Sequence, residues 1–341
     1  MKILLIADPG IPVPPIGYGG IERIVGLLAK EYKRQGHHVE ILASESSFIE
    51  GIKTHCIGAD GFPPTKKELN ISVLRAWKFL ILNFHRFDCV HNFGRLLYLL
   101  PILPFRIRKI MSYQREISLM NIKITSKIYN RNLFFTGCSQ NLINRNAYPG
   151  KWFSIHNAVD FKHYSFSEQL ESEGYLMFLG RIERVKGCHT AIKVAIETNL
   201  QLIIAGNISN LPDELEYFNR EIKPFIDGIQ IKYVGELNDL QKSEYLGKAK
   251  ALLMPIEWDE PFGIVMIEAM ACGTPVLGFR RGSVSEVIDE GITGFSVSSF
   301  DQMLSCVSRL NQIDRIKCRE ITENRFDVPI IVSQYLKIFQ S

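Results

Sequence analysis

The sequence lacks the cysteine arrangements that would crosslink a fold or hold a structural zinc ion. Its seven cysteines are odd in number, are scattered along 341 residues and include no Cys-x-x-Cys pair. Disulfide frameworks and zinc sites use paired cysteines at short, regular spacings. We therefore expect reduced thiols in a cytoplasmic protein, with neither a disulfide framework nor a zinc site.

Long apolar runs are missing as well. The apolar stretch at residues 96–105 is interrupted by Pro101 and Pro104 and is shorter than the roughly 20 residues of a membrane-spanning helix. Residues 1–9 carry too short an apolar run for a signal peptide, so we expect a first strand there. With 46% hydrophobic and 22% charged residues, the chain has the composition of a folded protein, and its length suits two domains.

Positive charge is distributed unevenly. Residues 1–158 hold 21 Lys and Arg against 10 Asp and Glu, a net charge of +11, whereas the remainder holds 19 against 26, a net charge of −7. The basic half is densest at residues 97–133, where the one acidic residue is Glu116. The cations there are Arg106, Arg108, Lys109, Arg115, Lys123, Lys127 and Arg131.

This basic stretch has two equal interpretations. One is a peripheral contact with anionic lipid at the inner membrane face, or with an anionic acceptor; the other is an ordinary solvated surface. We expect no nucleic-acid partner, because no recognition motif accompanies the charge.

The most informative part of the chain is a strand, a loop and a helix. Residues 251–255 have the character of a buried parallel strand, and residues 263–272 predict an apolar helix that ends at Gly273. Such a helix start presents unpaired N–H groups and a positive dipole end, which bind anions. Glu260 in the loop and Glu268 in the helix can accept hydrogen bonds from hydroxyl groups. The alternative is a buried helix whose glutamate has a core partner.

Two further loops lead from a strand into a helix. Arg181 and Lys186 lie in the first, where they can clamp a pyrophosphate; each such charged hydrogen bond is worth about 1.5–3 kcal/mol. Gly19 and Gly20 lie in the second, where bare N–H groups can face a phosphate. The alternative for Arg181 and Lys186 is ordinary surface charge on a turn, and the alternative for Gly19 and Gly20 is a flexible loop without a ligand. A dinucleotide fingerprint is excluded in the second loop, because Glu22 replaces its third glycine.

These motifs resemble those of retaining glycosyltransferase family 4. Glu260-Pro-Phe-Gly-Ile-Val with Glu268-Ala-Met-Ala-Cys-Gly-Thr-Pro-Val is similar to the Glu-x7-Glu signature, and Gly-Arg-x4-Lys-Gly at Arg181 and Lys186 to the diphosphate-binding pair. The resemblance covers nearly the whole chain and is strongest over residues 157–295. It implies the α/β GT-B fold, in which two Rossmann-like doubly wound domains face a central cleft.

The resemblance also implies the domain limits. Asn157-Ala158-Val159-Asp160 is similar to the family's inter-domain Asn-Gly-Val-Asp. We therefore expect an acceptor-side domain at residues 1–158 and a nucleotide-sugar-binding domain at residues 159–328. A C-terminal helix at residues 329–341 is expected to pack back on the first domain.

Roles for individual residues follow from the same resemblance. Glu260, Arg181, Lys186 and His91 are implied as catalytic residues, and His91, at a strand end, is the one that would contact the sugar. Many relatives carry His-x-His there, whereas Phe93 occupies the sugar-facing position in this chain, so a structural role for His91 is the alternative. The implied donor-binding residues are Gly19, Gly20, Gly206, Gly235, Glu236, Leu237, Phe262, Gly263, Ile264, Val265 and Glu268.

The implied function is transfer of a hexose, by family frequency glucose, from a UDP-sugar to a glycan or lipid-linked acceptor in polysaccharide biosynthesis, with retention of configuration. The leaving diphosphate needs positive charge, which fixed cations and helix N-termini supply. No Asp-x-Asp motif is present, so we expect no metal and no cofactor besides the UDP-sugar donor. The alternatives are a UDP-sugar epimerase or hydrolase of the same fold, and a non-catalytic nucleotide-sugar-binding partner subunit.

Overall fold

A computed structural model describes residues 1–17, 19–128, 132–170 and 174–340. Arg131 of the basic stretch and Ser341 of the expected C-terminal helix lie outside the described residues. The chain forms two compact units. Unit 1 comprises Met1–Ala158 and the C-terminal segment that starts at Val328, and unit 2 comprises Val159–Asp327.

Thirteen β-strands occur in the described residues, and every pairing between them is parallel. They are β1 (Lys2–Ile6), β2 (His38–Ser44), β3 (Lys53–Gly58), β4 (Cys89–Asn92), β5 (Arg108–Tyr113), β6 (Leu133–Gly137), β7 (Lys151–Ser154), β8 (Tyr175–Leu179), β9 (Leu202–Ala205), β10 (Ile231–Tyr233), β11 (Ala249–Met254), β12 (Val276–Phe279) and β13 (Gly294–Val297).

Twelve α-helices occur in the same residues. They are α1 (Gly20–Arg34), α2 (Lys66–Asn83), α3 (Leu119–Lys127), α4 (Gln140–Asn144), α5 (Cys188–Thr198), α6 (Pro212–Tyr217), α7 (Asp239–Lys248), α8 (Ile264–Ala271), α9 (Val284–Val287), α10 (Phe300–Val307), α11 (Arg315–Phe326) and α12 (Val328–Gln340). A turn of π-helix, Phe218–Ile222, continues α6.

Unit 1 is a seven-stranded sheet in the order β3-β2-β1-β4-β5-β6-β7, counted over the described residues. Its central strand β1 pairs with β2 and β4 in parallel, so that Ile3 lies between Val39 and Cys89. Four of the five residues of β1 are fully buried, as expected for a parallel strand covered by helices on both faces.

The last helix, α12, belongs to unit 1. It packs against α1, and its Tyr335 and Phe339 rings contact the ring of His91 on β4, with centroids 4.5 and 5.8 Å apart. Pro329 lies in the first turn of α12, where a missing N–H costs no helical hydrogen bond. The helix therefore begins at Val328, one residue before the predicted start.

Unit 2 is a six-stranded sheet in the order β10-β9-β8-β11-β12-β13, again over the described residues. The order reverses between β8 and β11, which lie side by side at the centre of the sheet. In open parallel sheets, ligands bind beyond the carboxyl ends of the strands at such a switch point. The loops after β8 and β11 are the two that carry the predicted cations and Glu260.

None of the helices in the described residues has the length and apolar character needed to cross a bilayer.

Candidate functional site

The carboxyl ends of β8, β9 and β10 meet at three glycines. The N–H of Gly206 donates to the carbonyl of Gly235 at 2.8 Å, and the N–H of Gly180 to that of Ala205 at 3.0 Å. Gly206 has a φ of +140°, and a Cβ there would overlap the carbonyl of Gly180, so only glycine fits. A Cβ at Gly180 or Gly235 would meet no atom within 4 Å. The strand ends thus form a bare backbone surface.

Glu236 and Leu237 continue from this surface. Glu236 is exposed and Leu237 is half-buried, directly after Gly235. The hydroxyl of Tyr233, at the end of β10, donates to the carbonyl of Gly206 at 2.8 Å. This hydrogen bond fixes one edge of the glycine backbone surface. Glu236 and Leu237 lie next to that surface because they directly follow Gly235.

The loop after β8 meets the loop after β11 through an ion pair. Lys186 Nζ lies 2.6 Å from Glu260 Oε2, and the indole N–H of Trp258 donates to the same oxygen at 2.9 Å. Lys186 Nζ also lies 4.7 Å from the centre of the Trp258 ring, within the range of a cation–π interaction. Glu260 is buried and Lys186 is mostly buried. Three side chains from two loops therefore form one charge-compensated group.

Glycines allow these loops to approach each other. A Cβ at Gly187 would overlap the carbonyl of Pro255, and a Cβ at Gly282 would overlap the backbone of Glu260. Both glycines have φ values in the left-handed region, +74° and +59°. The N–H of Ser283 donates to the Glu260 carbonyl at 3.0 Å. The backbone of Glu260 is therefore held against Gly282 and Ser283.

Arg181 belongs to the same loop as Lys186. Its Nη1 lies 2.6 Å from Glu183 Oε1, and the carbonyl of Glu183 accepts from the N–H of Lys186 at 2.9 Å. Glu183 is buried, while about a third of the Arg181 side chain is exposed. Glu183, which the sequence analysis did not single out, thus holds the guanidinium of Arg181 and the backbone of Lys186.

Two helices begin at this place without a side-chain cap. Gly263, whose φ is +76°, is the N-cap residue of α8, and Gly187 is the N-cap residue of α5. The first N–H groups of a helix lack intrahelical partners and carry the positive end of its dipole. Ile264 and Val265 in the first turn of α8 are half-buried, whereas Phe262 is buried against Phe326, with ring centroids 6.0 Å apart. Phe262 can therefore offer a ligand its backbone only.

Glu268 lies in α8 and is 3% exposed. Its Oε1 accepts from the hydroxyl of Tyr164 at 2.9 Å and from Lys242 Nζ on α7 at 2.5 Å. Lys242 is itself only 8% exposed. Sequence reasoning missed both partners, because neither lies near Glu268 in the chain and no local motif marks them. Among the described residues, no donor of a hydrogen bond to Oε2 of Glu268 is found.

Gly19 and Gly20 lie in unit 1 at the start of α1. Gly19 has a φ of +149°, and a Cβ there would lie 2.7 Å from the Cβ of Pro15. The carbonyl of Gly19 accepts from the N–H of Arg23 at 3.0 Å, and Gly20 is exposed. The loop packs Pro15 and Ile11 against Gly19 and leaves Gly20 at the surface.

His91 does not have the predicted position. It is fully buried in β4, its Nε2 lies 2.7 Å from the hydroxyl of Ser112, and its ring stacks 4.2 Å from that of Phe93. Burial lowers the pKa of His91 to about 3, so the ring is neutral. Since α12 covers it, His91 has no surface with which to contact a sugar, and the prediction that it does so is corrected here to a core role.

The described residues contain no group of three or more His, Cys, Asp or Glu side chains placed to hold a metal ion. All seven cysteines are free thiols, and only Cys56 is exposed.

One family model matches most of unit 2. Residues 160–324 match the family model of glycosyl transferases group 1. D-inositol 3-phosphate glycosyltransferase of Arthrobacter sp. strain FB24 is 32% identical over 134 residues, which are 36% of this chain and 30% of that protein. The chain spans less than half the length of the curated relatives it matches, this one included.

Solved structures resemble the whole chain. A glycosyltransferase involved in avilamycin A biosynthesis has a TM-score of 0.73 at 21% identity, over 99% of this chain and 97% of that one. Anabaena HepE, in complex with UDP and glucose, has a TM-score of 0.74 at 18% identity, over 100% and 99%. At these identities the likeness shows the fold, which is that of two parallel-sheet, Rossmann-like domains of the GT-B class.

Proposed function

We propose that this chain is a retaining glycosyltransferase that transfers a hexose, with glucose as the expected sugar, from a UDP-sugar to a glycan or lipid-linked acceptor in polysaccharide biosynthesis. The observation that carries the proposal is the contact of Lys186 with Glu260 across two strand-to-helix loops of unit 2. The match of the same unit to glycosyl transferases group 1 supports sugar transfer as its chemistry. The UDP and glucose bound by Anabaena HepE support the choice of donor.

In this proposal, fixed positive charge stabilises the leaving diphosphate. The lysine ammonium has three donors and the guanidinium five, so Lys186 and Arg181 can each keep an internal partner and still bind phosphate oxygens. The uncapped N–H groups at the start of α8 add a positive dipole end. Donors that are already fixed need no reorganisation when charge develops in the transition state. We therefore propose transfer without a metal ion or cofactor.

The two glutamates are assigned to hydroxyl groups of the donor. In both, one oxygen holds the internal partners, Oε2 in Glu260 and Oε1 in Glu268. No described residue donates to the other oxygen of either carboxylate. A carboxylate oxygen held in place by burial is a strong acceptor for a hydroxyl. Glu260 is proposed to bind the sugar and Glu268 the ribose, with no covalent enzyme nucleophile.

The test is to compare Lys186→Ala and Glu268→Gln with the wild type. UDP affinity is measured by calorimetry, and transfer by product analysis with and without acceptor glycans. Loss of one charge-assisted contact predicts affinity for UDP about ten-fold lower or worse. Lys193→Ala, which removes an exposed cation of α5, is the matched control and should bind UDP normally.

Wild-type UDP affinity and turnover in both variants would refute the assignment. Steady hydrolysis or epimerisation of the donor in the absence of any acceptor would favour the alternative enzyme of the same fold. Binding of UDP-sugar with no transfer to any acceptor would favour the non-catalytic subunit.

A further inference from the structure

Three large apolar side chains lie on the solvent face of α2 in unit 1. Leu74, Ile81 and Leu82 are 62%, 57% and 61% exposed, and they lie at spacings of seven and eight residues, which place them on one side of a helix. The opposite side, with Val73, packs in the core of unit 1. A surface helix normally carries polar residues on its outer face, so this arrangement points to a function for that face.

Two further exposed side chains extend the surface. The indole N–H of Trp77 on α2 donates to the carbonyl of Leu97 at 2.8 Å, and the ring of Phe84, directly after α2, stacks 4.4 Å from that of Phe105. Leu97 and Phe105 are each nearly half exposed. We call the surface formed by Leu74, Ile81, Leu82, Leu97 and Phe105 the α2 patch.

The charged side chains of α2 after Glu68 are basic. Arg75 and Lys78 are exposed on the same helix, and Arg106 is exposed beside Phe105. Residues 69–87 contain no Asp or Glu. Apolar side chains flanked by Lys and Arg are the composition of helices that lie in the interface of an anionic bilayer, since the long basic side chains reach the headgroups while their stems cover apolar surface.

We propose that the α2 patch binds unit 1 to the surface of an anionic lipid bilayer, with α2 lying parallel to the surface. The 18 residues of α2 span roughly 27 Å, which gives a contact along a line rather than at a point. A second copy of this chain fits the patch less well, because a two-fold interface would bring Arg75 and Lys78 against the same cations of the partner copy.

The test uses the full-length protein and vesicles. We expect co-sedimentation with vesicles of phosphatidylcholine containing 30% phosphatidylglycerol, and none with phosphatidylcholine alone. Leu74→Ser/Ile81→Ser/Leu82→Ser should abolish the binding. Arg75→Gln/Lys78→Gln should weaken it about 25-fold, since each cation near an anionic surface contributes about five-fold. These side chains are exposed, so circular dichroism and melting should stay as in the wild type.

Matched controls come from unit 2. Leu211→Ser/Leu240→Ser removes two leucines that are at least as exposed as those of the patch, and Lys193→Gln/Lys223→Gln removes two exposed lysines. Neither change should alter vesicle binding. The proposal is overturned if the wild type stays in the supernatant with anionic vesicles, or binds neutral vesicles equally well. It is also overturned if analytical ultracentrifugation shows a dimer that the triple serine variant dissociates. None of these outcomes depends on the sugar-transfer assignment.

Discussion

Replacing Lys242 should leave the buried carboxylate of Glu268 without its ion-pair partner. The Lys242 ammonium lies 2.5 Å from Glu268 Oε1, and both side chains are almost wholly buried. Breaking a buried ion pair from one side costs about 3–5 kcal/mol, because the remaining ion loses its compensation. The hydroxyl of Tyr164 still donates to Glu268, so we expect Lys242→Met to destabilise unit 2 by the lower value, about 3 kcal/mol.

A change of this size is easily measured. For a domain of about 170 residues, 3 kcal/mol lowers the melting temperature by about 6–12 °C. Hydrogen exchange read by mass spectrometry is the better assay, since peptides of α7 and α8 report on unit 2 while peptides of unit 1 serve as an internal reference. Lys248→Met is the matched control: it breaks an exposed pair with Glu244 on the same helix, which is worth about 0.5 kcal/mol.

The double variant Lys242→Met/Glu268→Leu separates charge from packing. Replacing both members of a buried pair by apolar side chains is often neutral or stabilising, so we expect it to recover most of the lost stability. The reasoning is refuted if Lys242→Met behaves like Lys248→Met. It is also refuted if the double variant is less stable than Lys242→Met alone, because the loss would then not come from an unpaired carboxylate.

Four other predictions follow from single contacts. Burial lowers the pKa of His91 to about 3, whereas the unfolded chain binds the proton near pH 6.5. The stability that neutral His91 contributes to unit 1 is therefore complete above pH 6.5 and is lost progressively below it. Between pH 7 and pH 5, the free energy of unfolding measured by urea titration should fall by about 2 kcal/mol more in the wild type than in His91→Asn. Gly206→Ala should destabilise unit 2 by about 2 kcal/mol or more and weaken UDP binding in calorimetry, because its Cβ overlaps Gly180. Gly228→Ala, with a positive φ but open space, should cost only about 1 kcal/mol. Transfer should persist in EDTA, and full inhibition that Mg²⁺ or Mn²⁺ reverses would contradict metal independence. Glu260→Gln should lower turnover without weakening UDP binding, and a parallel loss of both would contradict the division of roles.

The central strands of both units could be predicted because their signal is local. The sequence predicts strands within residues 1–9 and over residues 251–255, and the structure has β1 at Lys2–Ile6 and β11 at Ala249–Met254. Buried parallel strands are apolar throughout, which makes them visible without an alignment. Lys53–Gly58, at the edge of the sheet in unit 1, escaped prediction because its exposed and buried residues do not alternate or form an apolar run.

Residues of the candidate site could be proposed from the sequence only where they lie in a loop that a local sequence pattern identifies. Arg181, Lys186 and Glu260 stand in strand-to-helix loops, which sequence patterns locate. The partners of Glu268 come from another helix and from a residue 104 positions away, and no local pattern identifies such contacts. The family resemblance assigned His91 to a sugar contact, but the helix that covers it begins at Val328, far from it in the chain.

The pairing of Lys186 with Glu260 decides how the proposed clamp works. If a diphosphate drew Lys186 away, Glu260 would be left as a buried carboxylate with only the Trp258 N–H as a partner, which is energetically costly. If Lys186 instead stays above the Trp258 ring, its remaining donors can bind phosphate while the uncommitted oxygen of Glu260 accepts a sugar hydroxyl. The second arrangement keeps every charge compensated. In the proposed mechanism, Lys186 and Glu260 then act as one unit: Lys186 binds the phosphate end of the sugar–phosphate bond and Glu260 binds the sugar end.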